Sequence, residues 1–274
     1  MKAGRLFCMA AGLAAAYFSL GASMLRFGLE SMLLPHTNAP VSPSAPGLLP
    51  LGHRGELLVR RYGTPRLGCV LFFPGRHGDL PAYRRDLFPA FVARGIEVLA
   101  VAYPEQDGAP GIASLARMQA LAMVAIPEAD TACPDQPVIL YGRSFGAMVA
   151  AYSAANHQPA GLILEAAAPS LSSAVRTRLL SHWYSAAWAI LPVSSLLRQE
   201  FTLAHALSAT PSTPVVSFQG TADTQTPLEA LRQAPGLGKL HVVAIPGGTH
   251  ADTYELAKGR IVDAAVSMLR RQRT

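Results

Sequence analysis

The 274-residue chain is half hydrophobic, with 15% charged residues and a mean hydropathy of +0.26. Those values exclude a disordered chain and fit one large α/β domain carrying a segment unlike ordinary soluble protein. The net charge of +6 sits at the two ends, with Lys2, Arg5 and Arg26 against Glu30, and with Lys258, Arg260, Arg270, Arg271 and Arg273 against Asp263. The balanced middle leaves no basic face for phosphates, which excludes a nucleic-acid partner; the C-terminal arginines read as the solvated last turn of a helix.

In chain order, Lys2 and Arg5 precede an uncharged, mostly apolar run from Leu6 to Leu25. Such a run is long enough to cross a bilayer as a helix, and its positive flank stays in the cytoplasm. Residues 1–34 therefore read as an export signal or membrane anchor, with the rest of the chain on the non-cytoplasmic side. Gly21-Ala22-Ser23 is a fair small-residue cleavage site, so a secreted product and an anchored one both stay open. Residues 35–50, with Pro35, Pro40, Pro43, Pro46 and Pro50, read as an extended linker. The folded domain is expected from 51 to 274.

Within it, short β-branched and aromatic runs read as strands: Leu57–Tyr62, Cys69–Phe73, Glu97–Tyr103, Val138–Tyr141, Gly161–Glu165, Val215–Phe218 and His241–Ile245. Stretches of helical length and period lie between most of them, such as Ala82–Ala93 and Ser114–Ala125. This alternation predicts a mainly parallel, doubly wound sheet, whose ligands bind beyond the carboxyl ends of its strands. Beyond Cys8 there is one cysteine pair, Cys69 and Cys133, each just before a strand. If those strands are neighbours the pair is either a disulfide or two small buried residues. No Cys/His cluster has metal-ligand spacing, and nothing calls for a metal or an organic cofactor.

Three residues that carry chemistry stand after strands. Gly142-Arg143-Ser144-Phe145-Gly146 follows Val138–Tyr141 and precedes a helical run. Gly-x-Ser-x-Gly between strand and helix is a turn so tight that the residues flanking the serine at two removes must lack bulk, which lifts Ser144 Oγ clear of the sheet. A serine needs a base and a group to orient that base. Asp223 follows Val215–Phe218 within Gln219-Gly220-Thr221-Ala222-Asp223, and His250 follows His241–Ile245 within Pro246-Gly247-Gly248-Thr249-His250. Glu165, at the end of another strand, is the competing carboxylate.

In these landmarks and their order the chain, over about residues 55–270, resembles the α/β-hydrolase family, most closely its lipase/esterase and serine-aminopeptidase-like branches. The resemblance implies Ser144 as nucleophile, His250 as general base and acid, and Asp223 as the group that holds the imidazole tautomer. It implies an oxyanion hole from the backbone N–H of Phe145 and of Arg76, although the chain has Pro74-Gly75 where the family commonly has His-Gly. The stretch of about residues 167–211 resembles the family's cap; Trp183 and Trp188 there, with His77, are candidate substrate contacts. His157, His182 and His205 have no partner visible in the sequence. The expected activity is cleavage of a carboxylic ester or thioester of a lipid-like or acylated small molecule through an acyl-serine. The alternatives are a peptidase or amidase of the serine-aminopeptidase type, and a non-catalytic membrane-tethered binding module. A dehalogenase would need an Asp at position 144.

Overall fold

The apolar, β-branched runs pair into one eight-stranded sheet in the computed structural model, which describes residues 2–34, 47–52, 56–78, 80–106, 108–238 and 240–272. Its strands are β1 (Leu49–Leu51), β2 (Leu57–Tyr62), β3 (Gly68–Phe73), β4 (Ile96–Val101), β5 (Val138–Arg143), β6 (Gly161–Glu165), β7 (Val215–Gly220) and β8 (His241–Ile245), in the order β1-β2-β4-β3-β5-β6-β7-β8. β2 runs antiparallel to both β1 and β4, and every other pairing is parallel. The central strands β3, β4 and β5 are buried along their whole length, which is why their sequences are mostly apolar rather than alternating, with Glu97 and Arg143 as the buried charged exceptions.

The helices are α1 (Lys2–Ser23), continued through a π-helical turn at Met24–Gly28 into α2 (Leu29–Leu33); α3 (Leu80–Arg85); α4 (Leu87–Ala93); α5 (Leu115–Ala132); α6 (Phe145–Asn156); α7 (Leu171–Leu180); α8 (Val193–Leu196); α9 (Leu203–Ala209); α10 (Leu228–Gln233); and α11 (Thr253–Arg271). A 3₁₀ turn at Ala186–Ile190 joins α7 to α8. One apolar layer packs α5, α6 and α9 against the sheet through Met118, Leu121, Val149 and Leu203; the other packs α3, α4 and α11 through Tyr83, Phe88, Phe91 and Ile261. Successive residues of β3 serve the two layers in turn, Leu71 and Phe73 on one side and Val70 and Phe72 on the other. This is the doubly wound α/β-hydrolase fold, preceded by an apolar helix.

Where the chain departs from its sequence pattern, prolines supply the reason. The helical stretch Ala82–Ala93 is two helices parted at Asp86. A helix through this point would drive the Pro89 ring into the carbonyl of Arg85, four residues back. The longer α5, capped by the Ser114 side chain, does pass a proline, Pro127. The carbonyl of Met123 four residues earlier, which Pro127 cannot bond, accepts instead from His157 Nε2 at 3.1 Å. Leu49 and Pro50, which the sequence reading placed at the end of the linker, form an edge strand with Leu51. A proline is compatible with an edge strand, where no second neighbour needs its missing N–H. Of the rest of the linker, residues 35–46 lie outside the described residues.

β3 and β5 are parallel neighbours, and Cys69 at the start of β3 forms a disulfide with Cys133, which closes α5 shortly before β5, with Cα atoms 6.5 Å apart. Their sulfurs and Glu97 lie within 4.8 Å of one another, but the bond removes the thiolates that a cation would need. Cys8 is free and exposed. The disulfide closes a loop between residues 64 apart in the chain, for which chain entropy and typical measurements give about 2–5 kcal/mol. Thiol titration of the full chain in denaturant without reductant should find one reactive cysteine, and all three after reduction. Cys69→Ala with Cys133→Ala should lower unfolding free energy by that amount.

Candidate active site

At the carboxyl end of β5 the chain turns straight into α6, and the turn has no spare volume. A Cβ built on Gly142 would fall 2.3 Å from the Gly146 carbonyl oxygen, and one built on Gly146 would fall 2.2 Å from that of Phe73 on β3. Both are well inside van der Waals contact. Ser144 between them has φ 54° and ψ −117°, a conformation costly for any residue with a side chain. Its N–H donates to the Glu165 carbonyl at 2.8 Å, tying the turn to the end of β6.

Two loops from later strands reach this serine. His250, after β8, has Nε2 2.9 Å from Ser144 Oγ and Nδ1 2.8 Å from Asp223 Oδ2, the loop after β7 supplying the aspartate. Asp223 is held by backbone and side-chain donors: Gln225 N–H at 2.8 Å and Thr226 N–H at 2.9 Å to Oδ1, and Thr226 Oγ1 at 2.7 Å to Oδ2. Burial pushes its carboxyl up, but the His250 and Thr226 hydrogen bonds outweigh it and hold the pKa below the ordinary value. An Asp with a Thr three residues on is an Asx-type turn signal. Thr226 is thus a positioning residue that the sequence could have disclosed.

Glu165, the competing carboxylate, is fully buried beside the triad, but its hydrogen bonds go elsewhere. Tyr83 Oη donates to it at 3.0 Å, Tyr141 Oη donates to the same oxygen, and Arg143 Nε lies 3.6 Å away. Burial raises its pKa despite those partners. Arg143 also donates through Nη2 to the His250 carbonyl at 2.8 Å, so the residue just before the serine helps hold the histidine loop. Nothing in the order of residues marks this supporting part of Arg143 and Glu165, because it emerges only from their pairing across β5 and β6.

Phe145 opens α6, so its N–H has no acceptor within the helix and lies beside Ser144. Arg76 stands in the turn after β3, which is braced by Gly78 N–H to Gly75 carbonyl at 2.9 Å, by Tyr103 Oη to Pro74 carbonyl at 3.1 Å, and by Gln106 Nε2 to the Arg76 carbonyl. Ser144, Phe145, Arg76 and His250 all line one cavity of about 470 Å³, a common size for a small-molecule site. The segment between β6 and β7 adds Leu171, Val175, Leu179 and Trp188. Two candidate substrate contacts lie outside the lining of this cavity. Trp183 is 91% exposed in the turn after α7 and lies off the cavity, its ring in solvent. His77, one residue beyond Arg76, is exposed and is not among the residues that line the cavity. His182 stacks on Tyr184 outside the cavity. The cavity's further wall was not expected at all: Met24, Leu25, Leu29, Met32 and Leu33, from the N-terminal helix.

The family model described as "Serine aminopeptidase, S33" matches residues 64–233. The chain belongs to that family. No curated protein matches it. Among solved structures, a monoacylglycerol lipase of Paleococcus ferrophilus is 18% identical with a TM-score of 0.52, over 77% of this chain and 99% of its own. An esterase of Pyrococcus furiosus is 13% identical with a TM-score of 0.61, over 78% and 86%. The thioesterase domain from the curacin biosynthetic pathway is 17% identical with a TM-score of 0.54, over 81% and 98%. At these identities the likeness is one of fold. The S33 family match ends before β8, so it does not include His250.

Because Asp223 has a lowered native pKa, its stabilising contribution is whole above the unfolded value near ~4 and is lost as pH falls toward the native one. Asp223→Asn should flatten the dependence of unfolding free energy on pH in that acid window, as measured by denaturant titration. Gly146→Ala should destabilise the fold by about 1–3 kcal/mol or more, since the colliding atoms are backbone and cannot swing aside.

Proposed function

We propose that this S33 family member is a membrane-tethered serine hydrolase that cleaves a carboxylic ester or thioester of a lipid-like substrate. The observation that carries the reading is the hydrogen-bonded run Ser144–His250–Asp223, 2.9 and 2.8 Å, on the floor of an apolar cavity. Ser144 Oγ attacks the acyl carbonyl while His250 Nε2 takes its proton. Asp223 fixes the tautomer that presents a lone pair at Nε2 and stabilises the imidazolium that forms. The developing oxyanion is met by the N–H groups of Phe145 and Arg76. Collapse breaks the bond to the alcohol or thiol, which leaves with the proton from His250. Water then attacks the acyl-serine by the same route, His250 taking one proton and returning it to Ser144 as the carboxylic acid departs.

The cavity favours an acyl ester over an aminoacyl amide. An aminopeptidase must hold a free ammonium, and among the described residues lining the cavity none is acidic, whereas Arg76 and Arg178 are cationic. The tether rests on the stretch Arg5–Leu33, whose most apolar window is only 6% buried. Leu6, Phe7, Met9 and Leu13 are each 68–76% exposed, and covering such side chains gains about 1.5–3 kcal/mol apiece, which a bilayer supplies.

The test is covalent labelling of the detergent-solubilised full chain with a fluorophosphonate. Labelling should disappear in Ser144→Ala and His250→Ala, with kcat on acyl esters falling up to ~10⁶-fold in the first and on the order of 10⁴-fold in Asp223→Asn. Glu165→Gln should still label. A wild-type chain that is folded and does not label contradicts the reading, and damage by Glu165→Gln with an active Asp223→Asn would mean that the acid is misassigned.

A further inference from the structure

The N-terminal helix has an export or anchoring character in sequence, yet it is built into the catalytic domain. The Trp188 ring lies so close to it that a Cβ on Gly21 would fall 2.6 Å from the indole, and Trp188 Nε1 donates to the Tyr17 carbonyl at 3.1 Å. Tyr17 Oη donates to the Tyr184 carbonyl at 2.6 Å. Further along, Leu25 and Leu34 are buried in the same core layer as α6 and α7. Arg26 donates to the Leu197 carbonyl, and Arg76 Nη1 donates to the Met32 carbonyl at 3.2 Å. The last bond ties the helix to the turn whose N–H is assigned to the oxyanion.

From Met24 onward the helix changes partners, turning Met24, Leu25, Leu29, Met32 and Leu33 to the cavity that holds Ser144 and His250. The change falls where a bilayer would end. At 1.5 Å per residue, Met24 lies about 28 Å along the axis from Arg5, close to the ~30 Å of a hydrocarbon core. Tyr17 is only about 18 Å from Arg5. If the helix spans, the part of the enzyme that touches Tyr17 sits at the depth of the outer leaflet. That part exposes Leu180, Trp183, Tyr184 and Ile190, with Trp183 at 91%, a large apolar surface that the acyl chains of that leaflet would cover.

We propose that Met24–Leu33 forms the acyl-binding wall of the active site, so that the anchoring helix also selects a long acyl chain, which enters between it and α7 from the adjoining leaflet. This rests on the serine-hydrolase reading above and names the substrate class of that site. The wall is met by α7 on the other side, through Leu171, Val175 and Leu179, which leaves the carbonyl end of a bound chain at Ser144. Leu29 and Met32 are then specificity-determining residues.

The test compares labelling rates of the full chain in detergent with two alkyl fluorophosphonates, one carrying a methyl and one a dodecyl chain. The wild type should react with the dodecyl probe at least about tenfold faster, as expected when several methylenes enter an apolar pocket. Leu29→Trp and Met32→Trp should lose that advantage, read in each variant as the ratio of its own dodecyl rate to its own methyl rate. Met32 is 62% exposed, so its replacement does not strain the core. Leu13→Trp, on the same helix but off the cavity, should behave as wild type. Equal rates for both probes in the wild type, or an unchanged dodecyl advantage in both cavity variants, overturns the inference while leaving the hydrolase reading intact. A folded wild type that reacts with neither probe fails at the hydrolase reading itself.

Discussion

The turn at Ser144 leaves no room for a side chain at either Gly142 or Gly146, and the geometry of the site follows from that crowding. Backbone oxygens from β3 and from α6 occupy the space where each Cβ would be. The chain can make the turn only by placing Ser144 at φ 54°, and this costs local strain that the sheet must repay. It does so through a central block of fully buried parallel strands and through the Ser144 N–H bond to the end of β6. In return the hydroxyl stands above the sheet edge, the first N–H of α6 is left beside it, and the loops after β7 and β8 can meet it.

Below the triad lies a second polar layer with a different task. Glu165 accepts from Tyr83 and Tyr141 and faces Arg143 in a buried cluster, and Arg143 also donates to the His250 backbone. A buried carboxylate left without donors would be expensive, so the tyrosines and the arginine form a unit with it. Two acids therefore stand near one histidine in different parts. Asp223 is ionised and bonded to the imidazole; Glu165 anchors the floor.

Much of this was legible from residue order alone. Most of the seven runs could be read as strands because the parallel, doubly covered part of the sheet leaves a signature of β-branched and aromatic residues, while β2 with Arg60 and Arg61 pairs antiparallel. Ser144, Asp223 and His250 could be placed at one sheet edge because each follows such a run. What escaped depended on contacts far apart in sequence. Pro50 looked like linker, and only its pairing with Leu58 makes it an edge strand. Trp183 and Trp188 stand five positions apart in the same apolar stretch, and only the course of the turn after α7 separates an outward ring from one against the cavity. The N-terminal helix gave the least warning. Its apolar residues run all round its axis, as in a membrane span, so no periodic stripe marks the few that meet the active site. Met32 and Arg76 are joined across 44 positions of the chain by a side chain bonding to a carbonyl.

One measurement addresses both the proposed reactivity of Ser144 and the proposed role of the N-terminal helix as a wall of its pocket. A crystal structure of the full chain after reaction with a long-chain alkyl fluorophosphonate should show phosphorus on Ser144 Oγ and the phosphonyl oxygen facing the N–H groups of Phe145 and Arg76. The alkyl chain should lie against Leu29 and Leu33. An adduct on another residue, or an alkyl chain that leaves the site away from the N-terminal helix, would contradict this reading.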